Sequence, residues 1–458
     1  MINKYFYKEA VVDPETKKWG DISVVPSLPE VFSSVKVPTG GSVWKKMLAF
    51  TGPGLMIAVG YMDPGNWATD IAGGAKFGYT LLSVIFISNI FAMILQHLSL
   101  KLGIATERDL AQACRDHYKK RTAITLWVLS EIAIAACDLA EVIGSAIALN
   151  LLFGIPLVIG VLITVLDVLV ILFFQYKGFR LIESIVAGLI TVIFCCFAYE
   201  IIASKPEIAA MFGGFIPQTQ IVRSHEMLYI AIGILGATVM PHNLYLHSSI
   251  VQTRAYERTE KGKRTAIRFA TLDSNIALIL AFLINAAILI VASASFHNTG
   301  LQDVADISDA YKLLNPVLGV TFASVLFAIA LLASGQNSTI TGTLAGQVVM
   351  EGFLRLRLKP WVRRMITRLI AVTPAFIVTL FYGEKGTTGL LILSQVILSV
   401  QLSFAVIPLV MFTNNKKMMG MFANKPTLKF TAWAVSAVII TLNVFLLYQT
   451  IGEWIGMK

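Results

Sequence analysis

The chain alternates long apolar blocks with short polar connections. Tyr79 to Leu100 is 22 residues without Asp, Glu, Lys or Arg, Ser274 to Phe296 and Phe430 to Gly452 are each 23, and Leu313 to Met350 is 38. About 20 apolar residues cross the hydrocarbon of a bilayer as a helix, so these blocks read as membrane spans rather than core helices. Followed along the chain, the pattern predicts eleven spans, near 47–74, 79–101, 124–152, 155–175, 184–204, 227–252, 270–296, 315–345, 366–382, 387–413 and 428–451. This describes an all-α polytopic membrane protein. Residues 1–46 are polar, hold Pro26, Pro29 and Pro38, and lack the apolar core of a signal peptide, so they read as a solvated tail.

Composition agrees with the pattern: 56% of the 458 residues are hydrophobic and 14% are charged. Soluble domains carry roughly 25% charged residues. The net charge of +10 raises the question of nucleic acid, and its distribution answers it. Of the 37 Lys and Arg, 31 fall in the tail and in alternate loops, at 101–121, 177–180, 254–268, 355–368 and 416–429. Positive charge resists translocation, which makes that side cytoplasmic and puts the N-terminus inside and the C-terminus outside. Charge divided among loops does not form a nucleic-acid patch. The four cysteines, at 114, 137, 195 and 196, include no CxxC and no disulfide framework.

Two spans are interrupted at equivalent places. Span 1 contains Asp63-Pro64-Gly65-Asn66 and span 6 contains Met240-Pro241-His242-Asn243, each within an apolar helix. Proline removes an amide donor and clashes with the preceding turn, so each helix opens there. Opening frees backbone carbonyls at mid-membrane, which is tolerable where they line a cavity or bind something. Matched interruptions in two halves point to an inverted-repeat transporter with its site near the midplane. The organisation that follows is a tail (1–46), a first repeat of spans 1–5 (47–204), a second of spans 6–10 (227–413), and an added span (428–451).

The residue types at the breaks indicate a cargo. Asp63 offers a carboxylate, Asn66 an amide oxygen and Met240 a thioether, and opened backbone near Gly60 and Ala237 offers carbonyls. Oxygen ligands alone suit Mg²⁺ or Ca²⁺, whereas mixed oxygen and sulfur ligation suits Mn²⁺, Fe²⁺ or Cd²⁺. Met240 taken alone reads equally as a ligand or as packing.

These motifs, with Gly335-Gln-Asn-Ser-Thr-Ile-Thr-Gly-Thr and the following Gly346-Gln-x2-Met-Glu-Gly, resemble the NRAMP divalent-metal transporters over about residues 45 to 415. The resemblance implies a LeuT-like fold of 5+5 helices plus one, and alternating-access uptake of manganese or ferrous iron coupled to protons. Carried over by position, it implies Asp63, Asn66, Met240 and the Ala237 carbonyl as metal ligands, the Gly60 carbonyl at the same break, and Gln395 of span 10 as a further ligand in some states. Gly60 stands where the family leads one to expect alanine, and Asn337 where it leads one to expect serine. A magnesium-transporting branch lacks the span-6 methionine, so Met240 speaks against that branch.

Span 3 carries Glu131, Asp138 and Glu141. At 100° per residue all three share one stripe of the helix. Carboxylates within a membrane are costly and usually mark ion or proton paths. Glu131 lies near the cytoplasmic end and reads as solvated; Asp138 and Glu141 lie deeper and read as proton carriers. The family pattern implies Arg368, at the start of span 9, as their cationic partner. His242, beside the proposed ligands, titrates in a range convenient for proton exchange. His247 is 140° round the helix from His242, so the two do not chelate together. Asp167 is a further carboxylate within a span, without an assigned role.

The partners implied are divalent metal ions, protons and the lipid bilayer, with no nucleic acid and no resident cofactor. A transporter of the same architecture for an organic solute is the alternative, though an anionic Asp63 would repel a substrate carboxylate. An intramembrane metalloenzyme requires clustered His or Cys and a motif such as HExxH, which the sequence does not contain. A channel fits two broken helices with single-ion ligands less well than an occluded site does.

Overall fold

The computed structural model describes residues 42–176, 179–301, 307–318, 322–354 and 360–454, with residues 27–28, 31–32 and 35–38 of the tail. Helices α1 (Val43–Phe50) and α2 (Pro53–Gly60) lead to a break at 61–63, and α3 (Pro64–Phe77) continues beyond it. Then come α4 (Leu82–Thr106), the short α5 (Leu110–His117), α6 (Lys120–Phe153), α7 (Leu157–Tyr176) and α8 (Phe179–Ser204). The short α9 (Ile208–Gly213) and α10 (Gln220–Arg223) precede a second broken pair, α11 (His225–Thr238) and α12 (Pro241–Ile250). The remainder is α13 (Glu260–Ala292), α14 (Ile307–Leu318), α15 (Ala323–Leu354), α16 (Pro360–Asn414), α17 (Lys416–Met419) and α18 (Pro426–Trp454). Gly383, with φ 61° and ψ −146°, divides α16 into two helices.

Both breaks follow from their prolines. Pro64 and Pro241 stand in the first turn of the second half-helix, where a missing N–H takes nothing from the ladder. Ahead of them, Tyr61 (φ −80°, ψ 0°) ends α2 and Val239 (φ −110°, ψ 74°) ends α11.

Nine helical stretches among the described residues are long and apolar enough to cross a membrane, and Leu157–Leu166 is a shorter apolar helix. One of the nine, Pro64–Thr106, joins the second half of the first broken pair to α4. The sequence divides the same material into eleven spans, so length and hydropathy alone do not settle the number of crossings. Large apolar side chains cover the outside: Ile202, Phe381 and Phe430 are each about three-quarters exposed. A surface of that kind fits a lipid solvent.

The site lies where helices pack closely through small residues. α6 packs against α15 and α16, and α13 packs against α2, α3 and α4. A Cβ added at Gly144 of α6 would fall 2.1 Å from Cβ of Pro64, and one at Gly236 of α11 would fall 2.2 Å from the Gln395 carbonyl oxygen. Glycine at these positions lets α6 and α16 approach the two breaks. Trp67 anchors the start of α3, edge-on to Phe197 of α8 (4.8 Å) and Phe327 of α15 (5.1 Å).

The tail corrects one expectation. Its described residues are docked rather than solvated: Ser27 and Leu28 are buried, and the short strand β1 (Val35–Lys36) pairs in parallel with β2 (Arg254–Ala255) after α12. Phe32 donates its backbone N–H to the Gln252 carbonyl (2.8 Å) and packs against Tyr256. Leu28, Val31 and Phe32 give an otherwise polar segment enough apolar surface to dock.

Candidate functional site

The first break holds a convergence of oxygens. Asp63 caps α3 from the preceding residue, its Oδ1 accepting from the Asn66 backbone N–H (2.8 Å) and from Asn66 Nδ2 (2.6 Å). The same Nδ2 donates to the Ala237 carbonyl (3.1 Å) at the end of α11 and approaches the Gly60 carbonyl (3.4 Å) at the end of α2. Three oxygens from two broken helices therefore surround one nitrogen. All four residues are buried.

The other carbonyls of this break are already occupied. Tyr61 O accepts from Asn285 Nδ2 (2.7 Å), and Met62 O accepts from Trp67 Nε1 (3.2 Å) and from the Ser334 hydroxyl. Gly60 O is left directed at Asn66. Asp63 Oδ2 is buried without a hydrogen-bond partner among the described residues, as are Gln395 Oε1 and both polar atoms of the Asn243 amide. Buried polar atoms are normally paired, so the unmet oxygens of Asp63, Gln395 and Asn243 have the chemistry of a cation site.

Gln395 sits against the start of α3: a Cβ on Gly65 would fall 1.7 Å from its Nε2. At Gly60 a methyl would fall 2.2 Å from Asn243 Nδ2, so alanine there would require the Asn243 amide to move aside. Met240 is fully buried in a small cluster with Ala133, Cys137 and Leu398. Cys137 in turn lies within electrostatic reach of Asp63, Asp138 and Glu141, which ties the thioether's cluster to the carboxylates. Among the described residues no three His, Cys, Asp or Glu side chains gather as a metal-holding group. The donors at the breaks are instead one carboxylate with neutral oxygens and sulfur.

The acidic stripe of α6 lies beside this site. Glu141 Oε2 is 3.4 Å from Arg368 Nη1, and both side chains are fully buried. Arg368 Nε also donates to the Thr164 carbonyl (3.3 Å), and Cys137 Sγ approaches Glu141 Oε1 (3.6 Å). A Cβ on Gly342 would fall 3.0 Å from Glu141 Oε1 and 3.4 Å from Asp138 Oδ1, so the stripe faces α15. The charge of Asp138 bears on His242, whose Nδ1 is buried without a partner. Glu131 is half-buried and accepts from Trp127 Nε1 (3.0 Å). His247 turns away from His242 to meet Gln96 Oε1 (2.8 Å). Asn337 donates to the Val186 carbonyl (3.4 Å) and so joins α15 to α8. Asp167 belongs to the part of α7 whose side chains lie outside the described residues.

Two groups went unread in the sequence. Asn285 of α13 reaches both Tyr61 O and Asn66 Oδ1 (3.3 Å), and an Asn in the middle of an apolar span was the available signal. At the N-terminal end of α2, Glu183 accepts from Arg254 (2.7 Å) and Arg180 (2.8 Å), while Asp273 accepts from the Gly54 N–H (2.7 Å). The helical pattern of α8 and α13 carries no sign that these residues meet.

Comparison with known proteins gives a consistent result. Residues 54–449 match the family model described as Nramp, natural resistance-associated macrophage protein-like. The chain is 61% identical over 444 residues to a divalent metal cation transporter MntH of Listeria innocua, covering 97% of this chain and 99% of that one. It is 60% identical over 430 residues to the protein of that name in Nostoc sp., covering 94% and 97%. Among solved structures it resembles the Eremococcus coleocola manganese transporter in complex with an aromatic bis-isothiourea compound, with TM-score 0.86, 43% identity, and coverage of 94% and 92%. The nucleobase-cation-symport transporter Mhp1 is 16% identical with TM-score 0.59, covering 87% and 89%, and it shares the fold alone. The architecture is the LeuT-like one that the motifs implied.

Proposed function

From the premise that this chain belongs to the Nramp family, we propose that it imports divalent transition-metal ions, Mn²⁺ and Fe²⁺ foremost and also Cd²⁺, together with protons. It is a multi-pass membrane transporter and not an enzyme. The observation that carries the site is the convergence of Asp63 Oδ1, Gly60 O and Ala237 O on one Asn66 nitrogen at the crossing of two broken helices. A dication at that convergence meets one formal negative charge and the carbonyl dipoles released by each break. Turned inward, the Asn66 amide supplies its oxygen; Met240 supplies sulfur from the second break, and Gln395 approaches the same helix start. Asp138, Glu141, His242 and Arg368 serve the proton route, beside the metal ligands but on other segments. The N-terminus is cytoplasmic, as the loop charges indicate.

The test is Mn²⁺ uptake by purified protein in liposomes. Asp63→Ala leaves a dication facing neutral dipoles in a low-dielectric site, and uptake should fall by about a hundredfold or more. Uptake near the unsubstituted rate, at matched protein orientation, would remove Asp63 from the site and this reading with it.

A further inference from the structure

An amide presents an accepting oxygen on one side and a donating NH₂ group on the other, and a half-turn of the side chain exchanges them. In the arrangement described, Asn66 directs its NH₂ group at Asp63 Oδ1, Ala237 O and Gly60 O. Its oxygen points the other way and accepts from Asn285 Nδ2 at 3.3 Å. That nitrogen also donates to Tyr61 O at 2.7 Å, so both of its hydrogens are engaged on the broken helix. The oxygen of Asn285 is buried and has no partner among the described residues.

A cation and an NH₂ group cannot share the point where the three oxygens converge. Ligation by Asn66 requires its amide to turn over, and the turn sends its NH₂ group towards Asn285. There the unpartnered Asn285 oxygen is the available acceptor on that side chain. An acceptor that is buried and unmet in one arrangement acquires a use in the other.

We propose that Asn285 is a positioning residue for the metal site, and that Asn66 and Asn285 together form a two-position amide switch. In one position the Asn66 NH₂ group takes the cation's place among the oxygens as a hydrogen-bond donor, held there by the Asn285 donor. In the other the Asn66 oxygen faces the cation and its NH₂ group is taken by the Asn285 oxygen. The exchange gives the carboxylate and carbonyls either hydrogen-bond donors or a cation through a transport cycle, and it sets how firmly the cation is held. This rests on the reading of Asn66 as a ligand.

The experiment measures Mn²⁺ binding by calorimetry and uptake kinetics in liposomes for full-length protein with Asn66→Ala, Asn285→Ala, the double substitution, and Asn285→Asp in both backgrounds. Asn285→Ala should weaken binding only where Asn66 is present, so the double variant should bind as Asn66→Ala does. Asn285→Asp retains the acceptor for the turned amide and discards the donor that opposes turning. It should tighten binding by about tenfold and lower the maximal rate, and the gain should vanish in the Asn66→Ala background. Additive losses in the alanine cycle, or an equal gain from Asp in both backgrounds, would overturn the switch and leave Asn285 as a cap for Tyr61 O or a plain source of charge. Unchanged Mn²⁺ affinity in Asn66→Ala alone would instead overturn the ligand reading beneath it. Should Asn285→Asp not fold, the alanine cycle decides the proposal by itself.

Discussion

Arg368 Nη1 lies 3.4 Å from Glu141 Oε2, joining α16 to α6 with neither side chain exposed. Buried pairs of this kind contribute little net stability, while removal of one partner strands a charge. Glu141→Gln takes the carboxylate from beside Arg368 and, on the proposed reading, removes a proton-carrying group without touching the metal ligands. Metal binding should persist, while internal acidification per metal ion falls severalfold. Simultaneous recording of metal uptake and internal pH in liposomes checks this. Both signals persisting in their original ratio would take Glu141 off the proton route.

Met240 should act on selectivity more than on bulk affinity. A thioether in the ligand set denies a hard cation one oxygen, while a transition ion forms a useful bond to sulfur. Met240→Ala admits water and restores an oxygen for Ca²⁺ or Mg²⁺. The substituted protein should keep part of its Mn²⁺ transport, lose more affinity for Cd²⁺, and become sensitive to Ca²⁺ and Mg²⁺ in competition uptake. If Cd²⁺ affinity and resistance to hard cations are both unchanged, Met240 is packing against Cys137 and Leu398.

The N-terminal end of α2, which the proposed orientation puts at the cytoplasm, is held by an ionic clamp. Arg180 and Arg254 both reach the Thr51 carbonyl (2.6 and 2.9 Å) while sharing the Glu183 carboxylate, and Arg254 is fully buried. Glu183→Gln leaves Arg254 without its ion-paired carboxylate, with Asp273 the remaining acid nearby, at up to roughly 3–5 kcal/mol for a broken buried pair. Release of α2 should expose its buried face to the cytoplasm. A cysteine at Met56, in a background lacking the four native cysteines, should then be alkylated from the cytoplasmic side at least about tenfold faster. Equal labelling rates with and without Glu183→Gln would mean that the clamp does not restrain α2.

Folding stability should respond to pH through Asp109, which the tail residue Ser27 meets. Burial pushes this carboxylate up from 3.8 to about 6, against hydrogen bonds from Ser27 and the Gln112 N–H and the nearby Arg115 charge. Because the folded value lies above the unfolded one, protonation favours the folded form. That contribution is complete below about 3.8 and is lost as pH rises through about 6, on the order of 2–3 kcal/mol in all. Asp109→Asn keeps a good helix cap and removes the titration. Thermal unfolding from pH 4.5 to 7.5, a window chosen around that value, should show stability falling with pH in the unsubstituted protein and a flatter profile with Asn. Parallel profiles would place the pH response elsewhere.

Much of this molecule is legible without coordinates. The membrane class follows from apolar blocks such as Leu313 to Met350, because crossing a bilayer is a matter of local length and hydropathy. Pro64 and Pro241 announce the breaks, because a missing N–H acts within one helical turn. Asp63 and Asn66 stand out because polar side chains beside those prolines are costly within an apolar span, whereas Met240 taken alone reads equally as packing. Tertiary structure alone decided which atoms meet. Asn66 finds Ala237 O across 171 residues of chain, and Asn285 finds Tyr61 O across 224. The tail residue Ser27 finds Asp109, and Arg254 finds Glu183, through docking that a polar composition conceals. Hydropathy specifies that a helix is buried, and its periodicity specifies a face. The rotation and height at which one helix meets another are set by close packing at residues such as Gly144 and Gly236, and that information is shared between segments rather than carried by either one.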